Sequence, residues 1–84
     1  NPEAVPHVFV MPNPARDYFD VFLGWENQEP VSLRLSDMAG QVVWAGAQTG
    51  ESSVRVERGG LPAGIYVLSV QSRQGIEQVR IALN

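Results

Sequence analysis

Hydrophobic residues recur at every second position along this chain, in short runs interrupted by Gly, Pro, Asn and Asp. A period of two marks an extended strand with one face on a core and the other toward water. Phe19, Val21 and Leu23 form one such face, opposite Tyr18, Asp20 and Phe22, where Asp20 signals contact with solvent. Val31, Leu33 and Leu35 alternate cleanly with Ser32, Arg34 and Ser36. Val54 and Val56 are the inward positions of another short strand. Val79, Ile81 and Leu83 are those of the last, with Gln78 and Arg80 facing out. Ahead of these, residues 8–11 (VFVM) make a short strand between Pro6 and Pro12. No stretch carries the 3.6-residue period of an amphipathic helix, so little or no helix is expected.

The connections carry as much information. Asp37-Met38-Ala39-Gly40 has Asp at its start and Gly, free to take positive φ, at its exit. Residues 41–45 (QVVWA) are therefore expected to return antiparallel. Ser72-Arg73-Gln74-Gly75 predicts a second hairpin, and residues 24–30 (GWENQEP) and 46–53 read as polar loops. Pro12-Asn13-Pro14 lacks two backbone donors, which places it in a turn or at a sheet edge. The Asp17 carboxylate is expected to accept from the amides of Ala15 or Arg16, or to pair with Arg16. About seven short strands with turn signals at this spacing predict an all-β fold, an immunoglobulin-like antiparallel β-sandwich.

Residues 59–70 (GGLPAGIYVLSV) hold the strongest strand signal. Leu61-Pro62-Ala63-Gly64 is suited to reverse the chain or carry it across, because Pro62 fixes φ and Gly64 tolerates positive φ. In the strand that follows, Tyr66, Leu68 and Val70 alternate with Ile65, Val67 and Ser69. Both sets are largely apolar, which reads as a central strand covered on two faces. The Leu-x-x-Gly-x-Tyr spacing matches the corner of immunoglobulin-like sandwiches, where a Tyr hydroxyl bonds back to upstream backbone.

Eighty-four residues, 44 % of them hydrophobic, suffice for one packed core and leave no room for a second domain. Residues 1–7, with Pro2 and Pro6, read as the end of an extended linker, and residues 8–84 as a single sandwich. The opening at Asn1 without Met suggests a module of something larger. A net charge of −3 argues against nucleic acid as a partner. No apolar run approaches the roughly 18–20 residues of a membrane span, and no signal peptide is visible. Without Cys there are no disulfides or thiolate metal sites, and without Lys no side-chain amine is available for an isopeptide link.

Catalytic chemistry finds little support, and no cofactor is implied. His7 is the single His and follows Pro6 beside the linker, where a solvated terminus accounts for it. Asp17 and Asp20 fall on opposite faces of an extended chain, which disfavours a paired-carboxylate role. Glu26 and Glu29 around Asn27 are a thin basis for calcium. Trp25 and Trp44 are the better lead: exposed Trp on a sandwich stacks against sugar rings, whereas packed Trp closes the edge of a core. The first alternative is a carbohydrate-binding or adhesive module; the second gives the two rings no ligand.

The order of motifs adds a resemblance. Pro12-Asn13-Pro14, with Asp17 behind it, precedes a strand ending in Asp37-x-x-Gly40; then come Gly64-x-Tyr66 and the closing run of Val79, Arg80, Ile81 and Leu83. This arrangement, from about residue 8 to 83, resembles the C-terminal sorting domain of the type IX secretion system (type A, the Por secretion family) on cargo proteins of Bacteroidetes-type bacteria. The resemblance implies a folded secretion signal and not an enzyme. It would be read by the outer-membrane translocon and commonly removed by a sortase-like peptidase cutting near or upstream of residues 1–6. The cargo fused N-terminally to it would pass through the periplasm to the cell surface or the medium. One departure is visible: family members often carry Lys before the final apolar strand, where this chain has Gln78 and Arg80. The last strand, or the Pro-broken edge, is expected to dock by strand addition.

Overall fold

A computed structural model describes residues 8–23, 30–48, 53–73 and 75–84. Among them are seven strands and no helix: β1 (Val8–Met11), β2 (Tyr18–Leu23), β3 (Val31–Asp37), β4 (Val42–Gln48), β5 (Ser53–Glu57), β6 (Gly64–Ser72) and β7 (Gly75–Leu83). They form a three-stranded sheet in the order β1-β2-β5 and a four-stranded sheet in the order β4-β3-β6-β7. All pairings between named strands are antiparallel. This is the immunoglobulin arrangement with the fourth strand moved to the opposite sheet.

The alternating faces predict the core. Phe19, Val21 and Leu23 of the smaller sheet pack against Leu33, Leu35, Leu68, Val70 and Ile81 of the larger, all nearly or fully buried. Each such side chain removed from water contributes about 1.5–3 kcal/mol, so the interior between the sheets is the main source of stability. The β3–β4 hairpin closes through Asp37. Its Oδ1 accepts from the amides of Ala39 and Gln41, and its carbonyl accepts from Gly40. Gly40 stands at φ +89°, a conformation that a side chain would strain.

Two expectations need correction. The face of β6 carrying Ile65, Val67 and Ser69 is not covered as a core face would be: Ile65 is 41 % exposed and the other two are half-buried, because among the described residues no third layer packs on the four-stranded sheet. Nor is residue 46 in a loop. β4 runs on to Gln48, with Gly46 opposite Leu33 and Ala47 opposite Ser32. Small side chains weaken a strand signal without preventing backbone pairing. Residues 49–52 and the polar loop at 24–29 lie outside the described residues.

Candidate functional site: a clasp on the closing strand

β7 lies at the edge of its sheet, where alternate residues direct N–H and C=O groups outward. That edge is occupied along its last turn of pleat. After β1 the chain crosses toward β7 through Pro12-Asn13-Pro14, with the Met11–Pro12 and Asn13–Pro14 bonds both cis. Neither proline has an amide to offer, and Asn13 supplies both functions from its side chain. Its Nδ2 donates to the Arg80 carbonyl at 3.0 Å, and its Oδ1 accepts from the Ala82 amide at 3.1 Å. A carboxamide carries one donor and one acceptor group side by side, so it can stand in for a strand's backbone.

Ala15 continues the contact as a parallel bridge to Leu83. Its amide donates to the Ala82 carbonyl and its carbonyl accepts from the Asn84 amide, each at 2.8 Å. Ala15 is fully buried and lies in the core cluster. Of the contacts expected for Asp17, the one from the Ala15 amide is overturned: that amide goes to Ala82, and Asp17 contributes its backbone carbonyl, accepting from the Arg58 amide at 2.9 Å. The Pro-broken edge is likewise not open for docking, because the tertiary fold closes it onto β7.

Arg58 binds the corner together. Its Nε donates to the Leu61 carbonyl at 2.8 Å, and its Nη1 donates to the Arg16 carbonyl at 2.9 Å and also to the Asn84 carbonyl. Arg58 also opens the turn in which the Leu61 amide returns to its carbonyl, with Gly59 at φ +58°. One residue therefore ties the segment after Pro14, the crossing from β5 to β6, and the end of β7. At that crossing the Tyr66 hydroxyl donates to the Pro62 carbonyl at 2.7 Å, the corner contact read from the Leu-x-x-Gly-x-Tyr spacing. Gly64 begins β6 opposite Leu83.

The structure brings Pro12, Asn13, Pro14, Asp17, Tyr66, Arg80, Ile81 and Leu83 toward one end, with Val79 half-buried beside the core. Asp37 and Gly40 belong instead to the β3–β4 hairpin. Trp44 is half-buried against the core, its ring over Gly46, where an added Cβ would lie 2.9 Å from Cη2. A bulge at the Leu35/Ser36 step lets Val43 and Trp44 both pack there, so Trp44 covers an edge of the core. Trp25, His7, Glu26 and Glu29 lie outside the described residues. Arg58 and Ala15 were not legible as site residues. The hint for Ala15 is a lone small apolar residue in a polar stretch; for Arg58 it is only the adjacent Gly59-Gly60.

The clasp contains hydrogen bonds and shape, with no acid–base pair in it. Among the described residues no group of three His, Cys, Asp or Glu stands together, and no helix is long and apolar enough to cross a membrane. The strongest charge coupling among the described residues is elsewhere, on the outer face of the three-stranded sheet. There the Arg55 guanidinium, hydrogen-bonded to Asp20 at 2.8 and 3.1 Å, holds that carboxyl below its ordinary value of 3.8 against the opposing pull of desolvation. Compared with known proteins, residues 9–84 match the family model described as the secretion system C-terminal sorting domain. No curated protein matches the chain.

Proposed function

The chain belongs to the type IX secretion C-terminal sorting domain family, a family of sorting signals and not of enzymes, and on that premise we propose how it is read. A cargo fused N-terminally is led by this domain to the type IX translocon of the outer membrane. The element recognised is the end of the sandwich where Pro12-Asn13-Pro14 clasps β7. A sortase-like peptidase then cuts within or before residues 1–7, and the cargo is held at the cell surface or released. The observation supporting this is the convergence of the two ends of the family pattern: Asn13 hydrogen-bonds the backbone of Arg80 and Ala82 across 67 and 69 positions. A signal built this way is legible only when folded, since neither segment presents its shape alone.

The test is a periplasm-directed fluorescent protein fused to residues 1–84 in a type IX-competent host. The full fusion is expected at the surface or in the medium, and a fusion lacking residues 79–84 inside the envelope. Asn13→Ala, with its fold checked by circular dichroism, is expected to lower export while leaving the sandwich intact. Undiminished export of the truncated fusion would remove the closing strand from the signal.

A further inference from the structure

The outer face of the four-stranded sheet is unlike the rest of this acidic domain. Register sets Ser32, Arg34 and Ser36 of β3 beside Gln71, Ser69 and Val67 of β6, and these in turn beside Ile76, Gln78 and Arg80 of β7. Two arginines are thus displayed on the face. The sheet's two described carboxylates occupy the opposite parity: Asp37 pairs with buried Tyr66, and Glu77 with buried Val70. Both already hold backbone amides, Asp37 those of Ala39 and Gln41, Glu77 that of Val8. The Arg34 side chain makes no hydrogen bond or ion pair among the described residues, in contrast to those of Arg55 and Arg58. A chain of net charge −3 therefore turns a cationic face outward.

The face is also hollow. Serines 32, 36 and 69 form a low floor around Arg34 in a trough of about 280 Å³, with apolar Val42 at one corner and Ile76 at the other, 49 % and 64 % exposed. Val42 is level with Ser36 on β4 and Ile76 level with Ser32 on β7. The corners are therefore three strand spacings and four residues apart, a diagonal of about 20 Å. Extended chain covers that in roughly seven residues, with alternate side chains facing the sheet.

We propose that this trough binds an acidic, extended peptide segment of another protein, one that sets apolar side chains on Val42 and Ile76 and carboxylates on Arg34 and the Gln78–Arg80 side. The choice of occupant follows from the face. A second copy of this chain would bring arginine against arginine across a two-fold axis. A saccharide would lack a stacking surface, since no aromatic ring among the described residues faces outward here: Trp44 and Tyr66 pack inward. Arg34, aimed into a trough floored with hydroxyls, offers a carboxylate charge-assisted hydrogen bonds without first breaking an ion pair. The inference can be tested apart from the export reading: Arg80 is common to both sites, but Arg34, Val42 and Ile76, which carry the proposed contacts and the test, have no part in the Pro12-Asn13-Pro14 clasp.

The experiment titrates the isotope-labelled 84-residue chain, at low salt, with the heptapeptide Leu-Thr-Glu-Thr-Glu-Thr-Leu and with its double Gln counterpart. Amide shifts are expected at Ser32, Arg34, Ser69 and Gln78, with the Gln peptide and the Arg34→Gln variant each binding at least about tenfold more weakly. Ile76→Ser is expected to weaken binding several-fold, and Asp20→Asn to leave it unchanged. Equal binding of the Gln peptide would overturn the proposal without any question of variant folding. So would shifts that map to another face, or an acidic oligosaccharide binding at Arg34 where the peptide does not.

Discussion

Arg55 and Arg58 stand three positions apart, one on the outer face of the three-stranded sheet and the other at the end of the sandwich. Arg55 has every contact that is usually cited for stability: two hydrogen bonds to the Asp20 carboxylate and a guanidinium 3.9 Å from the centre of the Tyr18 ring. Yet its side chain is 53 % exposed and that of Asp20 24 %, so water and salt compete for both charges. Arg58 meets no side-chain carboxylate among the described residues. It donates to three main-chain oxygens, those of Arg16 and Asn84 lying 42 and 26 positions away, and its own amide fixes a fourth. The first arginine decorates two strands already paired; the second reaches past the end of the β2–β5 ladder to the end of β7 in the other sheet.

The largest effect should therefore come from the arginine that bonds to main-chain oxygens and not to a side-chain carboxylate. Arg58→Ala is expected to lower unfolding stability by about 2 kcal/mol, since hydrogen bonds from a charged donor are worth about 1.5–3 kcal/mol and part of this corner is solvated. Urea denaturation measures it, and a loss no greater than that of Asp20→Asn would undo the contrast. Tyr66→Phe comes next, at about 1–1.5 kcal/mol, because the ring is buried and its hydroxyl is the link to Pro62. Asn13→Ala should cost about 1 kcal/mol and speed hydrogen exchange at the Ala82 amide more than at the core amides of β3. Uniform acceleration across the sheets would mean that Asn13 is no local clasp.

Asp20→Asn should have the smallest effect, and a pH-dependent one. The folded-state pKa of Asp20 lies below its ordinary value of 3.8, so the pairing supports the fold above that value and is lost as pH falls through the lowered one. Thermal melts of wild type and Asp20→Asn should differ slightly at pH 7 in low salt and converge both near pH 2 and in molar salt. A gap that persists in high salt would place the Asp20 contribution in packing.

Much of this architecture could be read in advance. Phe19, Val21 and Leu23, or Val31, Leu33 and Leu35, announce their buried face because a strand's side chains must alternate, whatever lies beside it. The Asp37–Gly40 turn and the Tyr66 corner were legible for a related reason: their hydrogen bonds close within four residues. Residue pattern is a poor guide where a neighbour decides. Ile65 and Val67 look as apolar as core residues, yet on the outer face of their sheet the first is exposed and the second half-buried. Gly46 and Ala47 look like loop residues, yet β3 offers them a partner.

Local chemistry, then, decided on its own account which stretches pleat, which side of each is apolar, and where the chain turns. Those properties depend on residues one to four positions apart. Folding in three dimensions decided which strand became an edge and what sealed it. Asn13 answers Arg80 and Ala82, and Arg58 answers Arg16 and Asn84, only after two sheets have stacked and brought their ends to one corner. A hydrogen bond between a side chain and a carbonyl dozens of residues away leaves no periodic trace, because its geometry belongs to the packed layers and not to the order of the letters.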